Sequence, residues 1–235
     1  SGLRYHLLST ITYKDIEMTM KKSLLLLILL FLSPTLLMAE QYSEGIEYSK
    51  YAKPFPVSTG DKVEVREIFW YGCPHCYHLE APLNKWLNEA KPANAEFLRM
   101  PGIFRDSWVP HARAYYSFEA LDQTEKLHHA IMDAMHAKNQ KLMTEDQIAD
   151  FVATQGVDRK EFIDAYNSFS VDSLSRQAQI MTKRYGITGV PSIIVDGRYR
   201  VSSSLAGGHE EMFSVVNYLG GLAAEDRKQE KSQAK

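Results

Sequence analysis

Two cysteines occur in a sequence of 235 residues, and they stand almost side by side, as Cys73-Pro74-His75-Cys76. With two residues between them, a single helical turn brings both sulfurs within bonding reach. The preceding stretch, Val63 to Trp70, is rich in β-branched and aromatic residues and predicts a strand. From Tyr77 to Ala90 the pattern turns helical, with Leu79, Leu83, Trp86 and Leu87 on one face. Cys73 then sits at the helix cap and Pro74 at the first helical position, where its missing N–H costs nothing. Cys76 lies one turn in, facing the protein body. A helix start has unpaired N–H donors and a partial positive charge, so it favours a thiolate at Cys73. A protonated His75 would favour it further. The expectation is a depressed pKa for Cys73. A stabilised thiolate is also a good leaving group, so such a pair hands its disulfide to other thiols. Cys73 would form the mixed disulfide, with Cys76 as the shielded partner.

Other uses of a cysteine pair are weaker. A structural disulfide here would close a very small ring and add little stability. Zinc would need His75 or His78 to complete the set on one short turn, with no second pair of cysteines elsewhere. Haem attachment needs a histidine directly after the second cysteine, where Tyr77 stands.

The elements around the pair must position it. Lys21 and Lys22 precede an apolar run, Leu24 to Leu32, then Ser33, Pro34 and Ala39, the pattern of a secretory signal peptide. Met20 is the natural initiator, Ser1 to Thr19 is set aside as an upstream segment, and cleavage is expected after Ala39. A membrane anchor is the competing reading, but the run is short for a span. Four basic and two acidic residues leave with positions 1–39, so the mature chain carries a net charge of −4. Such a balance excludes a strongly basic nucleic-acid binder. Export implies an oxidising compartment.

In the mature chain, Gln41 to Ser58 reads as an irregular lead-in with a short edge strand. Ala95 to Met100 reads as a second strand, and Pro82 is expected to bend the helix it sits in. Helices are expected over Ala112–Leu121, Thr124–Ala137, Thr144–Ala153, Asp158–Tyr166 and Val171–Tyr185. Thr144 with Gln147 and Asp158 with Glu161 resemble capping boxes, and Gly156 and Gly186 suit left-handed helix ends. Ser192–Val195, the turn Asp196-Gly197 and Arg198–Val201 form a hairpin. His209–Leu219 is a last helix, and Glu225 to Lys235 is expected to fray. The order is that of one α/β sheet interrupted by an all-α insertion.

These features together resemble the DsbA family of periplasmic thiol–disulfide oxidoreductases. The resemblance rests on Cys73-Pro74-His75-Cys76 after a strand, the export signal, the helical insertion, and Gly189-Val190-Pro191-Ser192 before the final hairpin. It implies a thioredoxin fold split by an inserted helical domain. The expected parts are 40–105 and 186–222 for the thioredoxin-like domain, 106–185 for the insertion and 223–235 for a charged tail. It implies that Pro191 is a cis-proline packed against the active-site disulfide, and that the backbone of Val190 binds an extended substrate peptide. The expected activity is oxidation of cysteine pairs in unfolded exported proteins by a monomeric periplasmic enzyme. No cofactor is expected beyond the disulfide, and a membrane quinone-linked DsbB-type partner would reoxidise it. A reductase or isomerase, and a non-catalytic peptide-binding or chaperone module, remain as alternatives.

Six further features invite a role. Glu67 shares strand parity with Val63, Val65 and Phe69. A carboxylate there, near the buried cysteine, would have a raised pKa; an ion pair with Arg66 or Arg99 is the plainer reading. The resemblance implies an acid at this place that handles protons for the buried thiol. Glu80 resembles a second family acid but reads as a helix-surface charge. His111, His128, His129 and His136 read as surface or packing residues, and Tyr115, Tyr116, Phe118, Phe151, Phe162 and Tyr166 as core. Gly72 is expected to leave the nucleophile open, and Arg105 to Pro110 to reshape the groove beside it.

Overall fold

The computed structural model describes residues 41–233. The expected export signal and the segment before it lie outside the described residues.

A five-stranded sheet forms the frame. Its strands are β1 (Ser49–Lys50), β2 (Val63–Phe69), β3 (Ala95–Pro101), β4 (Ser192–Val195) and β5 (Tyr199–Ser202), in the order β1-β5-β4-β2-β3. β2 and β3 run parallel, so the chain between them must cross over, and it does so as helix α1 (Pro74–Glu89). The other pairings are antiparallel. The β4–β5 hairpin turns at Asp196 and Gly197, both at positive φ. Gly197 is required there, because a Cβ would lie 2.3 Å from the Phe55 carbonyl oxygen.

A 3-10 turn (Asp106–Trp108) and five helices separate β3 from β4: α2 (Val109–Ala120), α3 (Thr124–His136), α4 (Glu145–Thr154), α5 (Arg159–Tyr166) and α6 (Phe169–Arg184). Their starts follow local chemistry. Thr144 and Gln147 form the reciprocal capping box, Asp158 accepts from Glu161 N–H and Ser168 from Val171 N–H. Gly156 and Gly186 take left-handed φ just beyond helix ends. A one-turn helix α7 (Ser203–Ala206) leads into α8 (His209–Gln233).

Two cores sandwich the sheet. One joins Ile68, Phe69 and Met100 to Phe118, Leu127, Ile131 and Phe162 of the insertion. The other packs Val63, Val65, Ile193 and Val195 against Leu79 and Leu83 of α1 and Val216 and Leu219 of α8. Each such fully buried aliphatic side chain contributes about 2 kcal/mol of transfer free energy. All six aromatics assigned to the core are buried. Because β2 is covered on both faces, Glu64 is buried as well as Glu67, and it is held by Arg66 and Ser58. The alternation expected for a half-exposed strand does not apply to a central one.

The chain's end departs from expectation. Residues 225–233 do not fray but continue α8. Arg227 pairs with Asp196, and Arg198 makes a two-pronged ion pair with Glu230. These contacts tie the last turns to the hairpin tip, and no local sequence signal announces them. Among the described residues, no helix is long and apolar enough to cross a membrane.

Candidate active site

Cys73 caps α1 with an extended backbone (φ −98°, ψ 113°), and its sulfur accepts from Cys76 N–H at 3.4 Å. Its own N–H donates to the Trp70 carbonyl, which pins the turn between β2 and the helix. Pro74 takes the first helical position, and no acidic side chain stands in the first turn. The positive end of the helix therefore meets the sulfur unopposed. Both cysteines are free thiols. Cys73 keeps 8% of its surface exposed and Cys76 none, which distinguishes an accessible sulfur from a shielded one.

The two thiols have opposite proton affinities. The Cys76 thiol bonded to the Cys73 sulfur does most to lower the pKa of Cys73. Burial opposes this, while the N–H groups of Cys76 and His75 and the charge of His75 assist. The net brings Cys73 down to about 6. Burial pushes Cys76 well above the ordinary thiol range, and the nearby Cys73 and Glu67 push the same way.

The loop before β4 closes the other side. The Val190–Pro191 peptide bond is cis, and the Cys73 sulfur lies 3.4 Å from the Val190 carbonyl oxygen. An open groove of about 930 Å³ runs from His75 along Gly189–Ser192 and Arg200 to the turn entering α8. Arg105 to Pro110 do not line it, contrary to expectation. That segment instead delivers Trp108, which stacks on Trp70 at 4.0 Å and an interplanar angle of 3°. The stack also revises the reading of Gly72. A Cβ at Gly72 would fall 2.3 Å from the Trp70 ring, so the glycine makes room for the indole.

Beneath Cys76 lies a buried charge network. Glu67 is fully buried, and its Oε2 accepts from Arg99 Nε at 3.0 Å while Oε1 has no partner. The raised pKa and the ion pair, posed as alternatives, hold together. Burial pushes the Glu67 carboxyl up to about 7 despite the pull of Arg99, and Glu80 adds to the rise. Glu80 is no surface charge: it is 6% exposed and bonded to Arg99, His128 and His129. Burial works against its anion, but these partners, His128 foremost, hold it below the usual carboxylate range.

The histidines of the insertion are packing residues with polar partners. His111 Nε2 bonds the Leu142 carbonyl, and burial lowers its pKa to about 4. His136 bonds the Tyr71 carbonyl at 2.7 Å and stacks on Tyr77. His128 links Tyr71 to Glu80. Sequence reasoning left Tyr71 and His128 without a role, because their meeting depends on how α3 docks. Among the described residues, no group of three or more His, Cys, Asp or Glu is placed to hold a metal ion.

Comparison with known proteins agrees with this geometry. Residues 95–220 match the family model of the DSBA-like thioredoxin domain. The thiol:disulfide interchange protein DsbA of Pseudomonas aeruginosa is 39% identical over 181 residues, 77% of this chain and 85% of that protein. Its counterpart from Burkholderia cepacia is 40% identical over 178 residues, 75% of this chain and 84% of that protein. The crystal structure of P. aeruginosa DsbA superposes with a TM-score of 0.74 at 36% identity, covering 84% of this chain and 99% of that one. With its thioredoxin-like sheet, its helical insertion and these relatives, the chain belongs to the DsbA family of thiol–disulfide oxidoreductases, the enzymes that introduce disulfide bonds.

Proposed function

We propose that Cys73 and Cys76 are the redox pair and that Cys73 is the sulfur exchanged with clients. The observation that carries this reading is the asymmetry of the pair. One thiol lies at a helix N-terminus, partly exposed and acidic; its partner is buried one turn on and holds its proton. A client thiolate attacks the Cys73 sulfur of the oxidised pair. The Cys73–Cys76 bond breaks, a client–Cys73 bond forms, and Cys76 leaves as a thiolate that takes up a proton. A second client thiolate then attacks the client sulfur of that mixed disulfide and displaces Cys73 as its thiolate. The client gains a disulfide and the enzyme gains two electrons. Low proton affinity at Cys73 favours this last departure.

Pro74 and His75 contribute to the electrostatics of the cap, one by leaving the first turn regular and the other by its charge and N–H. Val190 and Pro191 form the wall against which an extended client segment lies, as the Cys73–Val190 contact supports. Glu67, beside Cys76 with one free oxygen, is the proton carrier for the buried thiol. The sulfurs carry the electrons, so no other cofactor takes part. The clients are unfolded exported proteins with cysteine pairs, the setting is the periplasm, and the enzyme works as a monomer reoxidised by a quinone-linked membrane partner of the DsbB type.

Replacement tests the assignment. Cys73→Ser should abolish disulfide transfer to a reduced client, and Cys76→Ser should accumulate client–enzyme mixed disulfides. Oxidase activity persisting in Cys73→Ser would overturn the assignment, and a strongly reducing potential of the pair would reverse its direction.

A further inference from the structure

Two buried carboxyls share one guanidinium beneath the active-site helix, and a histidine from the insertion touches only one of them. Arg99 Nε donates to Glu67 at 3.0 Å, and its Nη2 reaches Glu80 at 3.3 and 3.4 Å. His128 is 1% exposed. Its Nδ1 lies 3.1 Å from the Tyr71 hydroxyl and its Nε2 lies 3.2 Å from Glu80 Oε1. The tautomer follows from the partners. Burial keeps the Tyr71 phenol protonated and His128 neutral. The phenol therefore donates to Nδ1, and Nε2 must carry the hydrogen that it gives to Glu80.

This donor breaks the symmetry of the carboxyl pair. With both carboxyls ionised and one Arg99 between them, the buried cluster carries an excess negative charge. One proton should therefore be taken up first. Glu80 has His128 and His129 in addition to Arg99, whereas Glu67 has Arg99 alone and an unpartnered oxygen. We propose that His128 is a positioning residue that fixes the anion on Glu80 and so makes Glu67 the carboxyl that takes up the proton. The bearing of this on Cys76 rests on the role proposed above for Glu67.

The other ionisable groups around the cluster are accounted for. Cys73 and Cys76 face Glu67 from α1, His129 faces Glu80 from α3, and Tyr71 follows β2. Tyr115 of α2 lies near Arg99 and gives its hydroxyl hydrogen to Glu119. None of these offers Glu67 a replacement donor.

The test is a pH titration of the Glu67 carboxyl by carbon NMR in the reduced full-length protein, with Glu67→Gln to assign the signal. The wild type should titrate near 7. His128→Phe removes a donor to Glu80, so that Glu80 takes up the proton first and leaves Arg99 to Glu67, and should lower the Glu67 midpoint by one unit or more, about a tenfold loss of proton affinity. His128→Gln, which can still donate to Glu80, should restore it. Should the Phe variant not fold, His128→Asn carries the same expectation, because its shorter amide falls short of Glu80. A purely structural His128 would lower thermal stability and leave the midpoint in place, which would overturn the proposal. A midpoint that moves while the pH profile of Cys76 alkylation stays fixed upholds the role of His128 and separates it from the Glu67–Cys76 link.

Discussion

Replacing Glu67 by glutamine should change the pH dependence of folding stability in a direction opposite to that of most acidic residues. Glu67 is fully buried, and burial lifts its carboxyl from the usual 4.5 to about 7. In the folded chain it therefore keeps a proton that the unfolded chain has already lost between these two values. Stability falls as pH rises through that window, and the cost is complete above pH 7. At 1.36 kcal/mol per unit, the shift corresponds to about 3 kcal/mol. Glu67 and Glu80 share Arg99, so the step belongs to the pair as much as to either residue. Glu67→Gln removes the titration and leaves Arg99 its contact with Glu80. Urea denaturation of both reduced proteins from pH 4.5 to 8.5 measures the effect. The stability of Glu67→Gln minus that of wild type should rise across this range by about 3 kcal/mol. A constant offset is immaterial, and the titration of Cys73 is common to both proteins. Parallel curves, or a difference that shrinks as pH rises, would refute the argument that burial dominates at Glu67.

Two other substitutions probe the frame around the site. Gly72→Ala should cost about 1–3 kcal/mol in thermal denaturation, because the new methyl meets a Trp70 ring held in place by its stack on Trp108; an unchanged melting temperature would mean that the stack yields. Asp196→Asn should cost about 3 kcal/mol, since it leaves the arginines of the hairpin tip and of α8 without their shared, nearly buried carboxylate. It should also raise amide exchange in the last turns of α8, and unchanged exchange there would show that the Arg198–Glu230 and Lys231–Asp61 pairs hold the helix end without it.

The turn that holds Cys73 and Cys76, the strand before it, its helix and the hairpin after Pro191 are legible because each is written locally. β-branched runs, a proline at a helix start, capping side chains and an Asp-Gly turn act within a few residues of themselves. The failures share one cause. Glu80 reads as a surface charge because its own helix gives no hint that His128 and His129 arrive from 48 and 49 residues further along the chain. Gly72 looks like an opening until Trp108 presses Trp70 over it. The charged terminus looks prone to fray until Arg227 finds Asp196. In each case the deciding partner is distant in sequence, and docking of the insertion or of α8 brings it into place.

The Cys76 thiol, which keeps its proton, and the N–H groups that open α1 together hold the Cys73 sulfur ionised. The direct measurement is the ultraviolet absorbance of the thiolate in the reduced protein as a function of pH, with Cys73→Ser as the reference. A transition with a midpoint near 6 is expected, and it should vanish in Cys73→Ser. A single transition near the ordinary thiol value of 9 would contradict it.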